Sequence, residues 1–321
     1  MFKTIIYLLI STLLEIIIFN YYIKYLKKKQ YTQVVRELGP TSHKVKNGTP
    51  TAGGIIIIVF IIINFLIINL INNLSINLED IIFIITILFF GFLGLLDDFN
   101  IISKKNNNGL TPKIKIIVEI AFTIIIFILL KLNGYDNTIA IKNYKIDLSV
   151  ISIIFVAFYI IAWSNSFNIT DGLDGLAGNL SLSVFVGMFI IGKLEKDELL
   201  VISSIVMMFS VIAFLCFNYH PALLFMGNVG SHALGAGIAI CGILSKNEIY
   251  LGIFGLIFVF ETISVILQVI YFKKTKGKRL FKMAPFHHHL EMIGYKEGSI
   301  SIILVLISLL LVIIGLLIKG I

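Results

Sequence analysis

The sequence predicts an all-α integral membrane protein, a single domain over residues 1–321 with about ten transmembrane helices, a cytoplasmic-face active site and both termini outside. Three observations predict it. Hydrophobic residues make up 58% of the chain and mean hydropathy is +1.00, well beyond the composition of a soluble domain. Apolar runs of bilayer-crossing length recur ten times along the chain. Finally, 18 of the 26 Lys and Arg residues fall in alternate loops, and the positive-inside rule places those loops in the cytoplasm. The net charge of +8 is therefore gathered on one face. Anionic lipid and an anionic substrate are its expected partners there, and nucleic acid is not.

The spans are expected at about 5–23, 52–72, 81–96, 114–132, 150–166, 176–192, 198–216, 231–244, 249–271 and 300–318. The first begins behind Lys3 and has no small-residue cleavage pattern before Lys27–Lys29, so it reads as a retained span. Cys216 and Cys241 sit in or beside spans and offer neither a disulfide framework nor metal spacing. The first loop of the basic face, Leu38–Gly54, carries Lys44 and Lys46. Its Thr51 is placed to cap the second span.

The third span ends in Asp97–Asp98. Two adjacent carboxylates beside hydrocarbon are costly, and a hard divalent cation such as Mg²⁺ relieves both costs. On a helix adjacent residues point about 100° apart, so the two acids are expected to do different work. The loop that follows carries Lys105 and Lys113, candidate phosphate ligands. Residues 139–146 outside the membrane read as a small hairpin around Lys142–Asn143.

The loop Asn165–Ala177 has no basic residue, so charge topology does not explain it. Asp171 and Asp174 are expected on one face at the start of the sixth span, where a helix N-terminus favours anions. Gly172 and Gly175 allow close backbone approach. The loop after the seventh span, Phe217–Ala233, opens the eighth span with Asn228–Ser231, amide groups fit to hold an anion. His232 behind it reads as a packed core histidine. In the last basic loop His287–His288–His289 lies away from a terminus, where a tag would sit. Its spacing does not suit zinc, and histidines hydrogen-bonding a pyrophosphate fit better.

Lys46–Gly54, Asp97–Asp98, Asn168–Ala177, Asn218–Gly230 and Ala284–Glu291 together make the chain similar to the polyprenyl-phosphate N-acetylhexosamine-1-phosphate transferases over essentially its whole length. The unbroken histidine triplet favours the branch that handles phospho-N-acetylmuramoyl-pentapeptide. The resemblance implies transfer of that group from its UDP-linked form to undecaprenyl phosphate. The products are lipid I and UMP, in peptidoglycan biosynthesis, with Mg²⁺, in the bacterial inner membrane. A homodimer is also implied. By the same resemblance Asp97, Asp98, His287, His288 and His289 are catalytic. Lys46, Thr51, Lys105, Lys113, Asn168, Asp171, Gly172, Leu173, Asp174, Asn218 and Phe225 bind substrate. Asn228, with Asp98 and Asp171, holds the metal.

The chain departs from the family pattern at three places. The family has Asp, its principal Mg²⁺ ligand, at Asn228, Lys at Ile101 and an apolar residue at His232. A second reading follows from the first two: a related protein that binds carrier lipid or nucleotide without turnover. A transporter is disfavoured, because the acids lie at span ends, Glu119 and Glu261 excepted.

Overall fold

The computed structural model describes residues 2–32, 46, 48–104, 109–142 and 144–321. Its long helices are α1 (Phe2–Lys29), α2 (Gly54–Ile71), α3 (Leu78–Lys104), α4 (Pro112–Leu132), α5 (Ser152–Thr170), α6 (Leu176–Glu195), α7 (Glu198–Asn218), α8 (Gly227–Leu244), α10 (Leu256–Lys274) and α12 (Glu297–Lys319). Two short helices, α9 (Glu248–Phe254) and α11 (Phe286–Met292), lie between them. Among the described residues nine of the long helices are apolar enough to cross a membrane. The remaining one, α4, is interrupted by Lys113, Lys115, Glu119 and Lys131. The expected hairpin is present, β1 (Thr138–Ile141) pairing antiparallel with β2 (Tyr144–Asp147).

The outer helices turn small and polar residues inward and branched apolar ones outward. The buried stripe of α1 is Thr4, Leu8, Ser11, Glu15, Phe19, Ile23 and Leu26, a spacing of three and four that marks one helix face. In α12 the stripe is Ile300, Ser301, Leu304, Ser308, Val312 and Gly315, with Leu306, Leu310 and Leu317 exposed. This pattern suits lipid, where small residues let helices approach closely. Thr4 bonds Asn72 and Lys319 bonds Asn247, so both ends of the chain lie at the same end of the bundle.

The eighth helix is the centre, buried from Val229 to Ile243. Its small residues bring α2 and α3 onto its N-terminus. A Cβ on Gly54 of α2 would stand 2.2 Å from Gly230 Cα, and one on Gly94 of α3 would stand 2.2 Å from the Asn228 carbonyl oxygen. The site is built on this three-way joint.

Three boundaries differ from expectation. No glycine or proline follows Asp98 in α3, and the helix continues through Lys104. The acid pair therefore lies within the helix and not at its end. The eighth helix begins at Gly227, four residues earlier than apolarity indicates, because its polar first turn is capped from another helix. The expected ninth span is broken at Gly255, against which the Trp163 ring packs so closely that a Cβ would meet Cη2 at 2.1 Å.

Candidate active site

The two acids of α3 do different work. Asp98 is 6% exposed. Its Oδ1 accepts the Asn228 N–H and its Oδ2 the Val229 N–H, both at 3.1 Å. These are orphan donors of the first turn of α8, so Asp98 caps that helix from outside and complements its dipole. Asp97, partly exposed, accepts the Leu110 N–H at Oδ1 (2.5 Å) and the Asn228 side-chain amide at Oδ2 (2.8 Å).

An ionised carboxylate can only accept, which fixes the orientation of the Asn228 amide. Its NH₂ faces Asp97. Its carbonyl receives Asn168 Nδ2 at 2.6 Å, and that amide also reaches Ser231 Oγ at 2.8 Å. A hydrogen-bonded run from Leu110 through Asp97, Asn228 and Asn168 to Ser231 thus joins α3, α8 and α5.

The turn after α5 differs from expectation. The helix ends at Thr170 with Asp171 as its C-cap, and α6 begins at Leu176 behind Gly175. Asp171 therefore stands at the C-terminal end of one helix and not at the N-terminus of the next. The two acids of this turn also diverge. Among the described residues no donor reaches the Asp171 carboxyl. Burial, followed by the charges of Asp98 and Asp174, holds its pKa well above the usual carboxylate range. Asp174 is buried and pairs with Lys46 (2.8 Å). Its Oδ2 also lies 3.0 Å from His220 Nδ1 and accepts the Ala222 N–H.

Lys46 pairs in addition with Glu297 (2.5 Å), whose Oε1 accepts the Asp174 N–H (2.6 Å). Burial opposes charge on Asp174, yet Lys46 outweighs it and the carboxyl titrates below its ordinary value. For Lys46, burial is likewise outweighed by Glu297 and Asp174, and its pKa rises. Ligand atoms of Asp174, His220 and Glu297 lie within 4.8 Å of one another, a spacing that could hold a metal; the Lys46 ammonium already compensates two of them. Lys46→Met removes the ammonium from two nearly buried carboxylates, leaving only His220 near them, and is expected to cost about 3 kcal/mol. A thermal scan in detergent checks this: Tm should fall by several degrees and recover in part in Lys46→Met/Glu297→Gln, whereas an unchanged Tm would contradict it.

The histidines also separate. His287 is fully buried, with its N–H and its Nδ1 each 3.2 Å from Glu261 Oε2. The Nε2 atoms of His287 and His288 stand over Gly172, where a Cβ would meet them at 2.4 and 3.4 Å. His288 Nδ1 lies 2.7 Å from Glu291. His289 turns away: its Nδ1 accepts the Lys282 N–H, and its ring lies against Phe281 and Phe286.

Several expected substrate contacts build the walls. Asn218 is buried, accepting Gly175 N–H and donating to the Leu224 carbonyl. Leu173 is in the hydrophobic core, so its side chain packs and does not face the site. Phe225 is half-buried; its N–H donates to Pro50 and its carbonyl accepts from Gly53. Thr51 is buried and caps nothing: Gly53 stands at the start of α2 without a side-chain cap, and Thr51 Oγ1 packs beside Gly227. Lys113 is exposed on the first turn of α4, and Lys105 lies outside the described residues. Sequence reasoning missed Glu297, His220 and Lys115. Glu297 is 251 residues from Lys46, and its only signal is an acid in the first turn of the last span.

The sequence model of glycosyl transferase family 4 matches residues 81–246, from the start of α3 to the end of α8. A phospho-N-acetylmuramoyl-pentapeptide-transferase of Listeria monocytogenes serotype 4b (strain CLIP80459) is 38% identical over 301 residues, 92% of this chain and 93% of its own length. The proteins of that name from Staphylococcus saprophyticus and Staphylococcus aureus (strain MSSA476) are 40% and 39% identical, covering 96% and 97% of this chain and 97% and 98% of their own. The chain belongs to the phospho-N-acetylmuramoyl-pentapeptide-transferase family. The family-model match contains Asp97, Asp98, Asn168, Asp171 and Asn228. Lys46, Glu297 and the histidine triplet lie outside it in sequence, yet Lys46 and Glu297 meet Asp174, and His287 and His288 meet Gly172.

Proposed function

We propose that the protein transfers phospho-N-acetylmuramoyl-pentapeptide from its UDP-linked form to undecaprenyl phosphate, forming lipid I and UMP. The reaction takes place at the cytoplasmic face of a bacterial inner membrane, with Mg²⁺. The observation that carries this reading is the meeting, at one end of a membrane bundle, of Asp97, Asn228 and Asn168 with the Asp171–Gly172 turn under His287 and His288. The family likeness and the concentration of basic residues on the loops of that end support it. An oxygen of the lipid phosphate attacks the β-phosphorus of the nucleotide. The bond to the α-phosphate oxygen breaks, and UMP leaves with that electron pair.

In this reading Asp97 orients the lipid phosphate and holds its proton. His287 and His288 donate toward the diphosphate across Gly172. Asp98 acts by seating α8, and Lys46 with Asp174 and Glu297 forms the wall of the nucleotide pocket. Asp171, crowded by Asp98 and Asp174, and the Asn228 carbonyl oxygen, which now accepts from Asn168, are the hard oxygen donors that would hold Mg²⁺. The bound ion would neutralise the diphosphate.

The Asp97–Asn228 hydrogen bond also favours a second reading, a binder without turnover, because it engages the carboxylate the reaction needs. Purified protein given labelled UDP-substrate and undecaprenyl phosphate separates the two. Equal amounts of labelled lipid and UMP are expected, while no product across a Mg²⁺ and Mn²⁺ series would leave the binder.

A further inference from the structure

His232 on α8 is fully buried, and packing alone does not explain its surroundings. Lys115 Nζ of α4 lies 2.6 Å from its Nε2, and Ser164 Oγ of α5 lies 2.8 Å from its Nδ1. A lysine ammonium has no acceptor, so Nε2 must be the unprotonated nitrogen and Nδ1 carries the proton. That proton goes to Ser164 Oγ, whose own hydroxyl reaches the His232 carbonyl at 3.3 Å. The His232 Nδ1–H and the Ser164 hydroxyl then each have an acceptor. One turn along α4 the seam continues, with Asn165 Nδ2 donating to the Glu119 carboxylate at 3.2 and 3.3 Å.

The seam ends beside the site. His232 stands one helical turn past Asn228, whose N–H and side-chain amide hold Asp98 and Asp97. A flexible four-carbon ammonium left to itself is a mobile, strongly hydrated point charge. Here its position is fixed by a buried ring that is itself fixed from behind by a serine.

We propose that His232 is a positioning residue: by accepting a hydrogen bond from Lys115 it holds that ammonium one helical turn of α8 from Asn228, the residue that contacts both acids of α3, where the cation receives a substrate phosphate. This rests on the transferase reading for the identity of the phosphate, the monophosphate of the carrier lipid or the diphosphate of the nucleotide.

The test measures equilibrium binding of undecaprenyl phosphate and, separately, of the UDP-linked substrate to full-length protein in detergent. Wild type, His232→Leu, His232→Gln, Lys115→Met and the double variant His232→Leu/Lys115→Met are compared, each with its Tm. For at least one of the two ligands, His232→Leu should weaken binding about tenfold. Glutamine, which keeps an acceptor for Lys115, should largely restore it, and His232→Leu should add nothing in the Lys115→Met background. The ligand that responds identifies the phosphate. Unchanged binding of both ligands in His232→Leu, additive losses in the double variant, or equal losses for Gln and Leu at unchanged Tm would each overturn the proposal. Turnover on the same preparations is scored apart: wild type that binds but forms no lipid product would fail the transferase reading and leave the His232 result standing.

Discussion

Asp97→Asn is expected to reduce turnover by about 10²–10⁴-fold, the contribution typical of a positioned acid–base group, with KM for the UDP-substrate little changed. Two losses combine. The charge that orients the lipid phosphate disappears. The new amide also presents either NH₂ or a carbonyl to Asn228, whose NH₂ now donates to Asp97 at 2.8 Å. With its NH₂ facing that group the new residue would oppose donor to donor, and Asn228 would have to turn over and surrender its bond from Asn168. Steady-state kinetics on purified variants measure this. The informative companion is Asp98→Asn, whose two oxygens seat the first turn of α8: there Tm should fall together with activity. Turnover of Asp97→Asn within a few-fold of wild type would show that Asp97 is not at the reacting phosphate.

Gly94→Ala is expected to damage fold and site together. The added methyl would stand 2.2 Å from Asn228 O, 2.5 Å from its carbonyl carbon and 2.7 Å from Val229 N. All three are backbone atoms and none can swing aside, so α3 must move off α8. Overpacking of this kind costs about 1–3 kcal/mol. The shift also pulls Asp98 from the two N–H groups it caps and Asp97 from Asn228, so activity should fall by more than the loss of stability accounts for. Gly252→Ala is the control, since nothing lies within 4 Å of its added carbon. The measurement is Tm and specific activity for both variants. Equal behaviour of the two would show that the α3–α8 contact does not position the site.

Nine of the ten expected spans are, among the described residues, helices apolar enough to cross a membrane, legible because lipid imposes a composition that no other environment requires; α4 is long but carries four charges, and the short α9 and α11 were not foreseen as separate helices. The ends of the spans were less legible. The acid pair looked like a stop signal, yet α3 runs on to Lys104. The first turn of α8 looked like loop because its cap is Asp98, 130 residues earlier in the chain. Within the site, the sequence displayed the right chemical groups: two acids, an Asp171–Asp174 turn, Asn228 and three histidines.

What it withheld was direction around each helix axis and pairing over long sequence separation. Asp98 turns into a helix end and Asp97 into the site. Asp174 turns to Lys46 while Asp171 stays near Asp98. His289 leaves its two neighbours for a phenylalanine pair. His232 read as packing because its partners, Lys115 and Ser164, lie 117 and 68 residues away.

Asn228 is the pivot of the site: its NH₂ donates to Asp97 and its carbonyl accepts from Asn168 of α5, a link a carboxylate could not make to Asp97 without a cation between the two acids. The most direct test is the Mg²⁺ dependence of lipid product formation in wild type and Asn228→Asp. Wild type is expected to form product and to need more Mg²⁺, with the variant reaching half-maximal rate at a concentration roughly tenfold lower, since ligand charge sets affinity at such sites. Coincident Mg²⁺ curves, or a variant that needs more of the ion than wild type, would contradict the placement of Asn228 beside Asp97 at the reacting phosphates.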